Sequence, residues 1–145
     1  MIEQPISIQG LAERLSCIAV NHQNREEQMK YLFLAYGDEK QLQAMSASER
    51  HALGSECMAN DEQLRKSGHL LAVQGLQNSC SATTVRVQNG KAFVTDGPYA
   101  ETKEQILGIF TIEARDLNEA IQLASTMPQV QAGPIEVRPI IEQTS

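Results

Sequence analysis

The feature that most constrains this chain is the dipeptide Asn89-Gly90, set between two runs rich in β-branched residues. Thr84-Val85-Arg86-Val87-Gln88 precedes it and Lys91-Ala92-Phe93-Val94-Thr95 follows. A two-residue type I′ turn needs positive φ at both central positions, and Asn-Gly meets that need at the lowest steric cost. An antiparallel hairpin is therefore expected near the middle of the chain. Asp96-Gly97-Pro98 breaks its second arm.

Two similar halves flank the hairpin. In the first, the apolar run Tyr31 to Tyr36 reads as a central strand. Ser46 stands three residues before Glu49, a capping box that opens a helix. Leu53, Cys57 and Leu64 follow on one face of that helix, Gly68 ends it, and His69 to Leu76 makes a second strand. In the second half, Leu107 to Glu113 is a strand and Asp116 with Glu119 forms another capping box. Leu117, Ala120, Ile121, Ala124 and Met127 then trace a helical stripe until Pro128, and Ile135 to Ile141 is the last strand. This order predicts an α+β sandwich, an antiparallel sheet with two helices on one face, and a ferredoxin-like arrangement is its simplest closure. The opposite face would leave Val, Ile and Phe uncovered, so a homodimer is expected.

Residues 1–28 differ from the rest. Ile8, Leu11, Ala12, Leu15 and Ala19 recur at helical spacing behind Ser7. They read either as an extension with one short amphipathic helix or as a stretch ahead of a true start at Met29. The domain proper is expected over residues 29–145.

Charge and composition narrow the function. With 12 Lys+Arg against 18 Asp+Glu the net charge is -6, which repels a phosphate backbone, so no direct nucleic-acid partner is expected. No stretch approaches ~18 apolar residues, so no membrane span is expected. Cys17, Cys57 and Cys80 are odd in number and far apart, which suits reduced thiols in the cytoplasm. Nor do His22, His51 and His69 form a ligand pair at helical spacing, so no metal is expected. No glycine-rich phosphate loop, nucleophile elbow or HExxH string is present, and no cofactor is expected.

Over Met29 to Glu39 and over Thr95-Asp96-Gly97-Pro98-Tyr99-Ala100-Glu101-Thr102-Lys103-Glu104, the chain resembles the YCII-related family. More narrowly it is similar to the branch named for an Asp-Gly-Pro-Phe motif, with Tyr99 in the Phe position. The likeness continues through Gly108, the strand to Glu113, Asp116 to Ala120 and Ile135 to Pro139, and so covers residues 29–142. It implies a ferredoxin-like domain in a dimeric α/β barrel-type assembly, with a cleft near the dimer interface. The family's activity is undefined. One branch carries a His–Asp pair, and His51 stands roughly at the histidine position. The carboxylate position is Met127-Pro128 here, which breaks the pair. Some relatives are encoded beside extracytoplasmic-function sigma factors, which implies a regulatory or stress setting.

Several residues are candidates for chemistry. Asp96, expected at the end of a buried strand, would be a general base or polar anchor; otherwise it caps its turn as Asx residues do. Glu101, Lys103 and Glu104 would bind a polar group or form a solvated helix start. Arg86 and Arg138 would fork onto an anionic ligand or pair with Glu136 or Glu113. Tyr36 and Tyr99 would wall the cleft or pack in the core, and His51 is a weaker ligand-binding candidate. The leading expectation is a cytoplasmic, dimeric protein binding a small anionic or polar molecule, with proton-transfer or lyase-like chemistry as its enzymatic form. The competing expectation is a non-catalytic interaction module that engages a protein partner such as a sigma factor.

Overall fold

A computed structural model of the chain describes residues 28–143. Its six strands are β1 (Met29–Gly37), β2 (Leu70–Gly75), β3 (Thr83–Gln88), β4 (Lys91–Asp96), β5 (Gln105–Ala114) and β6 (Ile135–Pro139). The helices are α1 (Glu39–Ala44), α2 (Ala47–Lys66) and α3 (Leu117–Thr126), with short 3-10 turns at Ser79–Ser81 and Pro128–Gln131. The expected extension over residues 1–28 falls almost wholly outside the described residues.

Four strands make one sheet in the order β2-β5-β1-β6, every neighbouring pair antiparallel. With the hairpin set aside, this is the strand order of a split β-α-β ferredoxin-like sandwich. β1 is central, as its apolar run predicts. Tyr31, Phe33 and Ala35 are buried on one face, while Leu32, Leu34 and Tyr36 are half-buried on the other. On β5, Phe110, Ile112 and Ala114, in register with Phe33, Tyr31 and Met29, are buried, and they join Leu64 of α2, Ala120 and Ala124 of α3, and Met127 in a single core. Both long helices therefore cover the same face.

Local signals explain where the helices begin. At α2 the Ser46 hydroxyl accepts from the Glu49 amide at 3.2 Å, and Glu49 Oε2 accepts from the Ser46 amide at 2.8 Å, completing the capping box. Only half of the second box forms. Asp116 Oδ1 accepts from the Glu119 amide at 2.8 Å, but the Glu119 carboxylate turns to His69 Nε2, at 3.0 Å, and to the Arg115 guanidinium. Two charge-assisted partners hold it better than one backbone amide. Helix α1, which the spacing does not predict, is capped by Asp38, whose Oδ1 accepts from the Lys40 amide at 2.9 Å.

The hairpin forms as expected, with Asn89 at φ 50 and Gly90 at φ 74. It stands as a separate two-stranded sheet rather than joining the main one. Glu39 ties its base to α1: the Ser79 amide and hydroxyl donate to the two carboxylate oxygens at 2.7 and 2.6 Å. Among the described residues no layer packs on either side of it, and β4 is exposed along its whole length.

Candidate functional site

Helix α2 has 20 residues, and Leu64, near its C-terminal end, is the only buried one. The rest of its inner stripe stands off the sheet. Arg50, Leu53, Gly54, Cys57 and Asp61 recur at spacings of three and four, so they share a face. All five wall a cavity of about 400 Å³ whose floor is the sheet. Small residues make that floor: Ala35 of β1, Gly75 of β2 and Gly108 of β5. Gly54 adds to the opening from above, since a Cβ there would meet nothing within 4 Å. Phe110, Leu107 and Val73 make most of the remaining wall apolar.

The cavity's polar groups are few and incompletely bonded. Asp61 Oδ1 and Gln129 Oε1, both on lining residues, are buried acceptor oxygens with no hydrogen-bond partner among the described residues. Burial pushes the Asp61 carboxyl above its ordinary 3.8, against the opposing pull of the Gln129 side chain and the Arg65 charge. A carboxyl of that kind can hold or hand over a proton at milder pH than an exposed aspartate. Cys57 lies one turn away. Burial first, then the charges of Asp61 and Glu56, raise its thiol pKa, so it remains a neutral wall.

Asp61→Asn is expected to raise Tm at neutral pH. The native carboxyl binds its proton more tightly than the unfolded one, so wild-type stability falls as pH rises from 3.8 through the raised value. Below that window both states are protonated, and the advantage of Asn fades. Melting curves between about pH 4 and pH 8 check this; a gain that does not vary with pH would count against a desolvated carboxyl.

The structure divides the sequence candidates among four places, and of these candidates Tyr36 alone lines the cavity. Arg86, Asp96, Tyr99, Glu101 and Lys103 gather around the hairpin and the loop after it, and all are exposed. Asp96 was expected on a buried strand, and β4 corrects that because among the described residues it pairs only with β3 and is exposed. Where the spacing admits a helix start at Glu101, the chain forms an irregular loop held by Gln105, whose Nε2 donates to the carbonyls of Ala100 at 2.9 Å and Thr102 at 3.0 Å. Tyr99 is 78% exposed, and the Arg86 guanidinium lies 5.3 Å from its ring centroid, a cation–π contact. Arg138, on β6 and in a different sheet from Arg86, bonds Glu136 at 2.5 Å. Tyr36 contributes to the cavity lining, whereas His51 is exposed on α2 and does not.

Arg50, Asp61 and Gln129 are lining residues that no sequence motif singled out. A signal for Asp61 was present: it lies four residues after Cys57 and three before Leu64, a carboxylate on the stripe those two define. Among the described residues, no cluster of three or more His, Cys, Asp or Glu could hold a metal ion, and no helix is long and apolar enough to cross a membrane.

Comparison with known proteins gives the family. The model of the YCII-related domain matches residues 29–144. The chain belongs to the YCII-related family. An uncharacterised protein of Rhizobium meliloti (strain 1021) is 35% identical to it over 114 residues, covering 77% of this chain and 92% of that one. The matched span contains the whole four-stranded sheet, the hairpin and all three helices, so cavity and hairpin alike lie within the YCII-related domain.

Proposed function

We propose that this YCII-related protein binds a small, largely apolar molecule in the space between α2 and the sheet, with Asp61 as its polar anchor and, in an enzymatic role, its proton carrier. One observation carries the reading: a 20-residue helix buries only Leu64 while its inner stripe walls a cavity of about 400 Å³. That volume is in the range of small-molecule sites, and apolar walls with a few polar groups are their usual character. Gly54 supports it further. A helix-interior glycine costs about 0.5–1 kcal/mol relative to alanine, and no close packing demands one here.

The test is Gly54→Leu. The variant is expected to melt above wild type, from regained helix propensity and filled space, while losing the Tm increase that 1-octanol gives the wild type. Full retention of the octanol response would mean that the ligand site lies elsewhere.

We also propose a homodimer. The sheet face away from the helices carries Leu32 and Leu34 of β1 and Ile109 of β5, half-buried and not part of the core. Around them stand Lys30, Glu113, Glu136 and Arg138, charges of both signs suited to a polar rim. Sedimentation equilibrium should give twice the 16.0 kDa chain mass.

A second reading has its own observation. The hairpin exposes Val85, Val87 and Val94 on one face and Phe93 beside Arg86 on the other, apolar side chains suited to the interaction role expected as the alternative. On that reading Asp96, Arg86, Tyr99, Glu101 and Lys103 ring a docking surface, whether for a protein partner or for a small anionic ligand.

A further inference from the structure

The polar groups of the cavity are distributed in a way that specifies its ligand. Arg50 and Asp61 are eleven residues apart on one stripe of α2, which places their Cα atoms about 16 Å apart along the axis at about 1.5 Å per residue. Leu53, Gly54 and Cys57 lie between them and contribute no charge. Arg50 stands at the exposed end, and among the described residues its guanidinium has no carboxylate within ion-pair distance. At the other end, Asp61 Oδ1 and Gln129 Oε1 are two buried acceptors with no hydrogen-bond partner among the described residues, the Gln129 side chain lying beside Asp61. Buried acceptors are costly when unsatisfied, and what satisfies both is a group that carries several N–H or O–H donors.

We propose that the ligand of this cavity is bipolar, an apolar chain with a donor-rich ammonium head at the Asp61–Gln129 end and a carboxylate at the Arg50 end. The inference rests on the cavity being a ligand site and goes beyond it by naming the chemistry of both ends. A neutral apolar molecule would fill the middle and leave Asp61 Oδ1, Gln129 Oε1 and Arg50 with no partner among the described residues. A simple carboxylate would engage Arg50 but bring no donor to the buried acceptors. An ammonium offers three donors and a charge opposite to that of ionised Asp61.

Four probes that share an eight-carbon chain separate these cases by isothermal titration: 8-aminooctanoate, octanoate, octylamine and 1-octanol. 8-Aminooctanoate is expected to bind at least about tenfold more tightly than any of the others, the effect of one added charge-assisted contact. Asp61→Asn should remove its advantage over octanoate while leaving octanoate affinity unchanged. Arg50→Gln should remove its advantage over octylamine while leaving octylamine affinity unchanged. The bipolar assignment is overturned if 8-aminooctanoate binds no better than 1-octanol, or if either substitution leaves its advantage intact. In those cases binding of 1-octanol would still sustain the cavity as a site. Binding of none of the four would overturn both.

Discussion

Phe110→Ala is expected to lower the stability of the protein by about 3–5 kcal/mol, the cost of removing a buried aromatic ring. Phe110 is 4% exposed and lies in register with Phe33 on β1 and Val73 on β2, at the middle of the sheet. Its loss removes apolar contact from three strands at once. The void left behind opens into the existing cavity, because Phe110 already forms part of that wall. Relaxation is restricted there: the neighbouring residues are held in antiparallel register, and Ala35 and Gly108 have no side chains long enough to refill the space. For a domain of this size the loss corresponds to a fall in Tm of roughly 10–20 °C. Thermal or urea denaturation measures it, and a loss below about 1 kcal/mol would show that the ring is not packed as described.

The second large effect belongs to Gly133→Ala. Gly133 lies between the 3-10 turn Pro128–Gln131 and β6, where the chain passes close to the end of β1. A Cβ at this position would overlap the carbonyl oxygen of Tyr36 and sit 2.8 Å from its carbonyl carbon and 3.0 Å from the Gly37 Cα. These are backbone atoms of the central strand, so no side-chain rotation relieves the clash. The next residue, Pro134, accepts from the Tyr36 amide at 2.9 Å, which fixes the approach. The backbone must separate, at a cost of about 1–3 kcal/mol or more. Because Ala132 lines the cavity next door, the separation should also disturb the Gln129 end of the site. Equilibrium unfolding of Gly133→Ala beside wild type tests the claim; unaltered stability would mean that the two segments do not approach as described.

Much of the fold was legible because its signals are local. The Asn89-Gly90 turn, the Ser46–Glu49 box, Gly68 beyond α2 and Pro128 beyond α3 each act through a few neighbouring residues, and each appears where its chemistry predicts. The Asp116–Glu119 box was half right, because the fold brings His69 from fifty residues away to compete for Glu119. Helix α1 escaped notice because six residues with Leu42 as their one large apolar member leave little periodicity to detect.

The site was less legible for a physical reason. A hydrophobic pattern identifies faces that pack, whereas this cavity exists because one face of α2 does not. Gly54 reads as a weak spot in a helix until the sheet beneath it is found to present Ala35, Gly75 and Gly108. Asp61 reads as one more helix carboxylate until Gln129, brought in from the 3-10 turn after α3, lies beside it. Conversely, Phe93 and Val94 make β4 look buried, and only tertiary structure shows that among the described residues the hairpin pairs with nothing but itself. That placement gives the polar cluster around Asp96 the setting of an exposed surface within the single chain.

The most direct test of the central claim is an amide correlation spectrum recorded while 1-octanol is titrated into the protein. A ligand seated between α2 and the sheet should shift the amides of Gly54, Cys57, Gly75, Gly108 and Ala132 in a saturable way and leave the hairpin unchanged. Saturable shifts confined to Arg86, Gly97, Tyr99 and Thr102, or no saturable shifts at all, would contradict the account.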